Sequence, residues 1–197
     1  MLSHSTPADA VELLKAGNMR FVTGESQRGL YGPRIAEFAD DTHPFAVVLG
    51  CSDARVPIEI VLDQGPGDLF VVRIAGNFVN MDNLASIEFG VDVLKASVVL
   101  VLGHSRCGAV RAALANKLDG TRQRGHIPEI IDALIPSVQA ARGFPGDWLE
   151  NAITHNVARN VKAITVESNI VSNAVDAGEV RVVGGIYDVT TGWVAFT

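Results

Sequence analysis

The chain has 197 residues, of which 48% are hydrophobic and 19% charged, enough for one compact domain, residues 1–197, with a substantial core. Its net charge of −6 and the lack of any lysine or arginine run argue against a nucleic acid or an anionic membrane as partner, so we expect a small molecule. No apolar segment approaches the roughly 20 residues that span a bilayer, and the N-terminus lacks the features of a secretory signal, which predicts a cytoplasmic protein.

An N-terminal arm, residues 1–35, precedes the predicted α/β core, residues 44–197. Thr6, Pro7 and Asp9 form a capping signal for a helix in this arm. The arm and the apolar helices of the core suggest an obligate dimer, and we expect the arm to pack on the dimer partner.

Three short apolar runs, each ending in glycine, predict strands that are buried on both faces: 44–50, 68–76 and 97–103. Between the second and third, apolar residues recur at helical spacing, at Leu84, Ile87, Val91 and Leu94. A strand, a helix and a strand in this order indicate parallel pairing.

The second half of the core begins with two predicted helices, 107–118 and 127–141, and Pro136 is expected to end or kink the second. A long helix follows through Leu149 and Ile164, with Gly178 as its cap. Two further strands, 179–188 and 192–196, complete the chain. The predicted fold is a single α/β domain with a mostly parallel sheet of four to five strands flanked by helices.

Both cysteine motifs fall just past the carboxyl ends of predicted strands, at the sheet edge where α/β proteins bind ligands. Cys51, His104 and Cys107 together offer two thiolates and an imidazole, a donor set that suits Zn²⁺. A structural zinc usually has four protein ligands, whereas this set leaves the fourth position open to water, substrate or Asp53. The pattern therefore indicates a catalytic zinc whose bound water becomes a hydroxide.

Asp53 and Arg55 lie two and four residues after Cys51. The Asp53 carboxylate can accept a hydrogen bond from the hydroxide, and the planar guanidinium of Arg55 can hold that carboxylate in place. Alternatively, Asp53 moves onto the zinc and closes the site, in which case the pair acts as a latch.

The motifs Cys-x-Asp-x-Arg at 51–55 and His-x-x-Cys at 104–107 resemble those of the β-class carbonic anhydrases. The similarity extends through "DQGPGDLFVVRIAGN", "SIEFGVDVL" and "VLGHSRCGAV". It implies reversible hydration of CO₂ to bicarbonate and a proton, with one Zn²⁺ per chain on Cys51, His104 and Cys107 and with Asp53 and Arg55 as a catalytic dyad. It also implies a homodimer or a dimer of dimers, a site at the dimer interface, and a substrate pocket that contains Phe70, Ala75, Phe89, Gly108 and Thr42.

This sequence departs from the family pattern in three ways. Thr42 stands where many members have glutamine, and Phe89 where tyrosine is common. The subgroup that bicarbonate regulates at a non-catalytic pocket uses a tryptophan, an arginine and a tyrosine. Arg73 matches this arginine, but Val48 and Gly184 replace the two aromatic residues, so we expect no such regulatory site.

Two other functions stay open from the sequence. The same zinc hydroxide would hydrolyse COS or CS₂, and the changes at Thr42 and Phe89 would alter the preference. The alternative from another functional class is a non-catalytic protein that zinc stabilises or that senses redox state. The presence of Arg55 argues against this alternative. Of the remaining residues near the motifs, Arg73 is expected to pair with a local carboxylate, and Ser105 and Arg106 to be ordinary loop residues.

Overall fold

The computed structural model describes residues 6–27, 36, 39 and 42–197. These segments form seven helices and five strands in the order α1 (Pro7–Thr23), β1 (Ala46–Gly50), α2 (Ile58–Val61), β2 (Leu69–Arg73), α3 (Met81–Asp92), β3 (Val98–His104), α4 (Gly108–Asp119), α5 (Ile127–Ala140), α6 (Trp148–Glu167), α7 (Asn169–Asp176), β4 (Arg181–Tyr187) and β5 (Val194–Phe196). No helix of these segments has the length and apolar character that a membrane span requires.

The five strands form one sheet in the order β2-β1-β3-β4-β5. The first three pairings are parallel, and only β5 runs antiparallel to its neighbour β4. The predicted α/β domain with a mostly parallel sheet is therefore confirmed. Strands β2 and β5 lie at the two edges.

The two faces of the central strands pack against different helices. Alternate residues such as Val48, Leu100 and Leu102 join a core cluster with α1 and α2. Their neighbours Val47 and Leu49 face the opposite side and pack with α3, α6 and α7. Because side chains alternate across a strand, a central strand covered by helices on both faces must be apolar throughout, as β1 and β3 are.

Helix α1 begins with the predicted capping box, in which Thr6 and Asp9 each accept a hydrogen bond from the other's backbone N–H. Its apolar residues Ala10, Val11 and Leu14 pack into the core of their own chain. The apolar face of this helix thus packs on its own sheet, and the packing of the arm on a dimer partner stays a prediction. Residues 1–5 and 28–35 of the arm lie outside the described residues.

Three details differ from the sequence-based expectation. The short helix α2 follows Cys51 where none was predicted. Helix α5 continues through Pro136 instead of ending there. The predicted long helix is interrupted at Ser168, whose side chain caps α7, so Gly178 follows α7 with a φ of 73° and does not end α6.

Candidate metal centre

The candidate site lies where the strand order reverses. After β1 the chain forms β2 on one side and then β3 on the other, so that the carboxyl ends of β1 and β3 diverge into separate loops. Cys51 directly follows β1, His104 ends β3, and Cys107 precedes α4. Such a reversal creates a crevice that commonly binds ligands in α/β proteins.

The three predicted ligands come together there. The Sγ atoms of Cys51 and Cys107 and a ring nitrogen of His104 all lie within 4.8 Å of one another. The three residues are 3%, 1% and 0% exposed, respectively. A tetrahedral zinc with ordinary bond lengths separates its ligand atoms by about 3.5 Å, so small movements of these side chains would complete a zinc site.

The ring of His104 is oriented for metal binding. Its Nδ1 lies 3.0 Å from the carbonyl oxygen of Ser105, so it donates to that oxygen and leaves the lone pair on Nε2. Nε2 is buried and has no hydrogen-bond partner among the described residues. A buried polar atom without a partner is costly, and a metal ion at this position would satisfy it.

The two thiols shift each other's pKa in opposite directions. The hydrogen bond between them lowers the pKa of Cys51 to about 4 and is the main reason why the pKa of Cys107 is raised. The Gly76 backbone N–H, 3.3 Å from the Cys51 Sγ, also favours the thiolate. The lowered pKa favours a thiolate at Cys51, and a divalent cation that displaced the remaining thiol proton would be held by two thiolates and an imidazole.

Asp53 and Arg55 form a bidentate pair beside this cluster. Arg55 Nε donates to Asp53 Oδ1 at 2.9 Å and Nη2 to Oδ2 at 2.8 Å. The hydrogen bonds from Arg55 are the main cause that holds the pKa of Asp53 well below its usual range. Asp53 Oδ2 lies 4.0 Å from His104 Nε2, so an ionised carboxylate faces the histidine ligand atom.

Further side chains fix the two loops that carry these residues. Arg73 donates through Nε to the Cys51 carbonyl at 3.0 Å and through Nη2 to the Asp53 carbonyl at 2.9 Å. The prediction that Arg73 pairs with a carboxylate is therefore wrong. Its guanidinium instead binds backbone carbonyls that follow the carboxyl end of β1.

The loop after β3 is held in the same way. The carbonyl of Arg106 accepts from Arg55 Nη2 at 3.3 Å, and its N–H donates to Glu150 Oε1 at 3.1 Å. Ser105 orients His104, and its own N–H donates to the Tyr187 carbonyl. Ser105 and Arg106 are thus more than loop residues. Their position between two ligands was the available signal, whereas nothing in the sequence marked Glu150.

The predicted pocket residues divide into two groups. Ala75 and Gly108 adjoin the cluster, since Gly76 touches Cys51 and Gly108 follows Cys107. Phe70 and Phe89 pack on each other, with ring centroids 6.0 Å apart. Phe70 pairs with Val47, four residues before Cys51 and thus about 13 Å along the strand.

Thr42 precedes the amino end of β1, at the opposite edge of the sheet from the cluster. It is exposed in the single chain. Within one chain, Thr42, Phe70 and Phe89 therefore do not adjoin the three ligands.

The fold and the donor set define an α/β protein with a cysteine-histidine-cysteine cluster, which suits a metal ion, at the carboxyl edge of a mostly parallel sheet. The family model described as carbonic anhydrase matches residues 46–194. Carbonic anhydrase 2 of Mycobacterium tuberculosis is 36% identical over 192 residues, which cover 97% of this chain and 93% of the relative. The chain therefore belongs to the carbonic anhydrase family, and its resemblance to the β class is confirmed.

Solved structures of β-class members share the fold. The β-carbonic anhydrase CafA of Aspergillus fumigatus superposes with a TM-score of 0.72 at 28% identity, covering 84% of this chain and 81% of that one. The Coccomyxa β-carbonic anhydrase, solved in complex with acetazolamide, gives a TM-score of 0.72 at 27% identity, covering 82% of this chain and 75% of that one.

Proposed function

We propose that the protein catalyses the reversible hydration of CO₂ to bicarbonate and a proton, with one Zn²⁺ per chain bound by Cys51, His104 and Cys107. Membership of the carbonic anhydrase family supports the reaction. The observation that carries the metal assignment is the buried cluster of three ligand atoms, in which His104 Nε2 has no other partner among the described residues.

The bound zinc would supply a Lewis acid that makes water nucleophilic near neutral pH. We propose that Asp53 accepts a hydrogen bond from that water and directs its lone pair toward the substrate, while Arg55 keeps the carboxylate in position. Because Arg55 lowers the pKa of Asp53, the carboxylate stays ionised at neutral pH and acts as an acceptor. The released proton therefore passes to buffer and not to Asp53.

We further propose that a homodimer, alone or as half of a dimer of dimers, completes the substrate pocket. Phe89 is 48% exposed and, with Phe70, lies at the edge strand β2, whose far side has no partner strand among the described residues. A second copy packed on this edge would cover both aromatic rings. It would also allow Thr42, Phe70 and Phe89 of one copy to line the site of the other, beside Ala75 and Gly108.

We propose no bicarbonate regulatory pocket for this chain. Val48 is fully buried between helices, and a Cβ at Gly184 would already lie 2.7 Å from the Val157 side chain, which leaves no room for an aromatic residue. Arg73 is engaged by the carbonyls of Cys51 and Asp53. A cytoplasmic location also stays a proposal, supported by the two free thiols that a reducing compartment would preserve.

The experiment is stopped-flow CO₂ hydration with zinc-quantified protein from about pH 6.5 to 9, with COS hydrolysis measured on the same sample. We expect CO₂ turnover that increases with pH, and inhibition by acetazolamide, the compound bound in the similar Coccomyxa enzyme. Zinc-replete protein that turned over COS but not CO₂ would favour the alternative substrate. Zinc-replete protein inert toward both would favour a non-catalytic role.

A further inference from the structure

A buried polar network connects helices α5 and α6 to the loop after β2. Asn156 Nδ2 donates to the Gly76 carbonyl at 2.8 Å, and Asn156 Oδ1 accepts from Ser137 Oγ and Asn160 Nδ2, each at 3.1 Å. Asn160 Oδ1 in turn accepts from the Val79 N–H at 2.7 Å. The three side chains are each 1% exposed. Their mutual hydrogen bonds fix the Asn156 amide so that its donor faces Gly76.

The network meets the metal cluster at Gly76. This residue accepts from Asn156 through its carbonyl and donates through its N–H to the Cys51 Sγ. It occupies the third position of a turn closed by the hydrogen bond from the Asn77 N–H to the Ile74 carbonyl, and its φ of 86° is one that a type II turn requires there.

Gly76 has little freedom to move. A Cβ at this position would lie 2.8 Å from the Leu134 side chain and 3.3 Å from the Ala109 Cβ. The backbone of Gly76 is thus enclosed by α4 and α5, and the hydrogen bond to its carbonyl fixes the peptide plane that follows it.

We propose that Asn156 is a positioning residue for the metal site, which holds Gly76 so that its N–H remains directed at the Cys51 sulfur. The inference rests on the proposed zinc site. A hydrogen bond to a metal-bound thiolate orients the sulfur, and loss of such outer partners commonly weakens metal binding by about 10- to 100-fold. Because Asn156 acts through Gly76, we expect about tenfold weaker zinc binding when its amide is lost.

The test compares the full-length protein with Asn156→Ser, in which the hydroxyl is too short to reach Gly76, and with the more disruptive Asn156→Leu. The matched control is Asn18→Ser. Asn18 is also a buried amide with three hydrogen bonds, to Val61, Gly192 and Val194, but it lies on the α1 side of the sheet.

Two readouts separate positioning from general stability: zinc affinity from competition with a chromophoric chelator, and the thiolate charge-transfer absorption of the cobalt-substituted protein. We expect both Asn156 variants to bind zinc about tenfold more weakly and to shift the cobalt spectrum, whereas Asn18→Ser unfolds more easily but keeps both properties. A folded Asn156→Ser protein with unchanged affinity and spectrum would overturn this inference alone. Failure of the unmodified protein to bind zinc would overturn the proposed function with it.

Discussion

At the scale of single residues, Asp53 and Arg55 allow zinc binding and catalysis to be tested separately. Asp53 is held by Arg55 and is not one of the three clustered ligand atoms. We therefore expect Asp53→Asn to retain close to one zinc per chain while CO₂ hydration falls by about 100-fold or more, because the neutral amide is a poorer acceptor. Stopped-flow rates and metal analysis on the same sample test this.

The matched variant for that experiment is Cys107→Ala, which removes a ligand atom. We expect it to lose the zinc and the activity together. Full activity in Asp53→Asn would exclude the dyad role, and stoichiometric zinc in Cys107→Ala would exclude Cys107 as a ligand.

The sequence allowed prediction of those parts of the site that depend on distinctive side chains. Cys51, His104 and Cys107 were identifiable because thiols and imidazole are distinctive ligands and because both motifs follow strands. The contacts that orient them were not predictable, since the Ser105 carbonyl and the Gly76 N–H are backbone groups that any residue possesses. Glu150 reaches Arg106 from a helix 44 residues away, and only the folded chain brings them together.

At the scale of elements, Pro136 lies inside α5, where its ring nitrogen cannot donate to the Asp132 carbonyl one turn earlier. The side chain is exposed, so its replacement removes little packing. We expect Pro136→Ala to raise the free energy of unfolding by about 1–3 kcal/mol, measured by urea denaturation.

Pro128 provides the control within the same helix. It occupies the first turn of α5, where proline is favourable because no intrahelical partner is available to its nitrogen. Pro128→Ala should therefore give no comparable gain. Equal changes in the free energy of unfolding for the two substitutions would show that proline costs no more at position 136 than at position 128.

The elements that were predicted well are those in which local pattern and tertiary packing agree. Strands β1 and β3 are apolar runs covered on both faces, and the capping box of α1 is formed by neighbours in sequence. The break at Ser168 was missed because Ile164 and Val171 continue the apolar periodicity across it. Its hydroxyl both caps α7 and donates to Glu88 of α3, a tertiary contact that the sequence does not reveal.

At the scale of the whole molecule, the proposed dimer places the exposed ring of Phe89 in the interface between the two copies. We expect Phe89→Lys to weaken self-association by about tenfold or more and to lower CO₂ hydration in parallel, while each chain keeps its zinc. Sedimentation velocity over a concentration series measures the association. Phe144→Lys is the control, since Phe144 is also an exposed phenylalanine but lies between α5 and α6. An unchanged sedimentation profile for Phe89→Lys would place the interface elsewhere.

Metal binding should also couple the stability of the whole chain to pH. The lowered pKa of Cys51 favours its thiolate at neutral pH, while the raised pKa of Cys107 favours a protonated thiol there. Zinc must displace this proton, so lower pH opposes binding and higher pH favours it.

We therefore expect the thiols to release about one proton per zinc between about pH 7 and 8.5, and at least a tenfold gain in affinity for each pH unit. The additional free energy of unfolding that zinc confers grows with affinity and should increase over the same range. Chelator competition and proton release in weakly buffered solution provide the measurement. A zinc-bound water can release a further proton in this range, so the thiolate absorption of the metal-free chain decides the assignment. Its absence at about pH 7 would mean that both sulfurs are thiols, and that the hydrogen bond between them does not ionise Cys51.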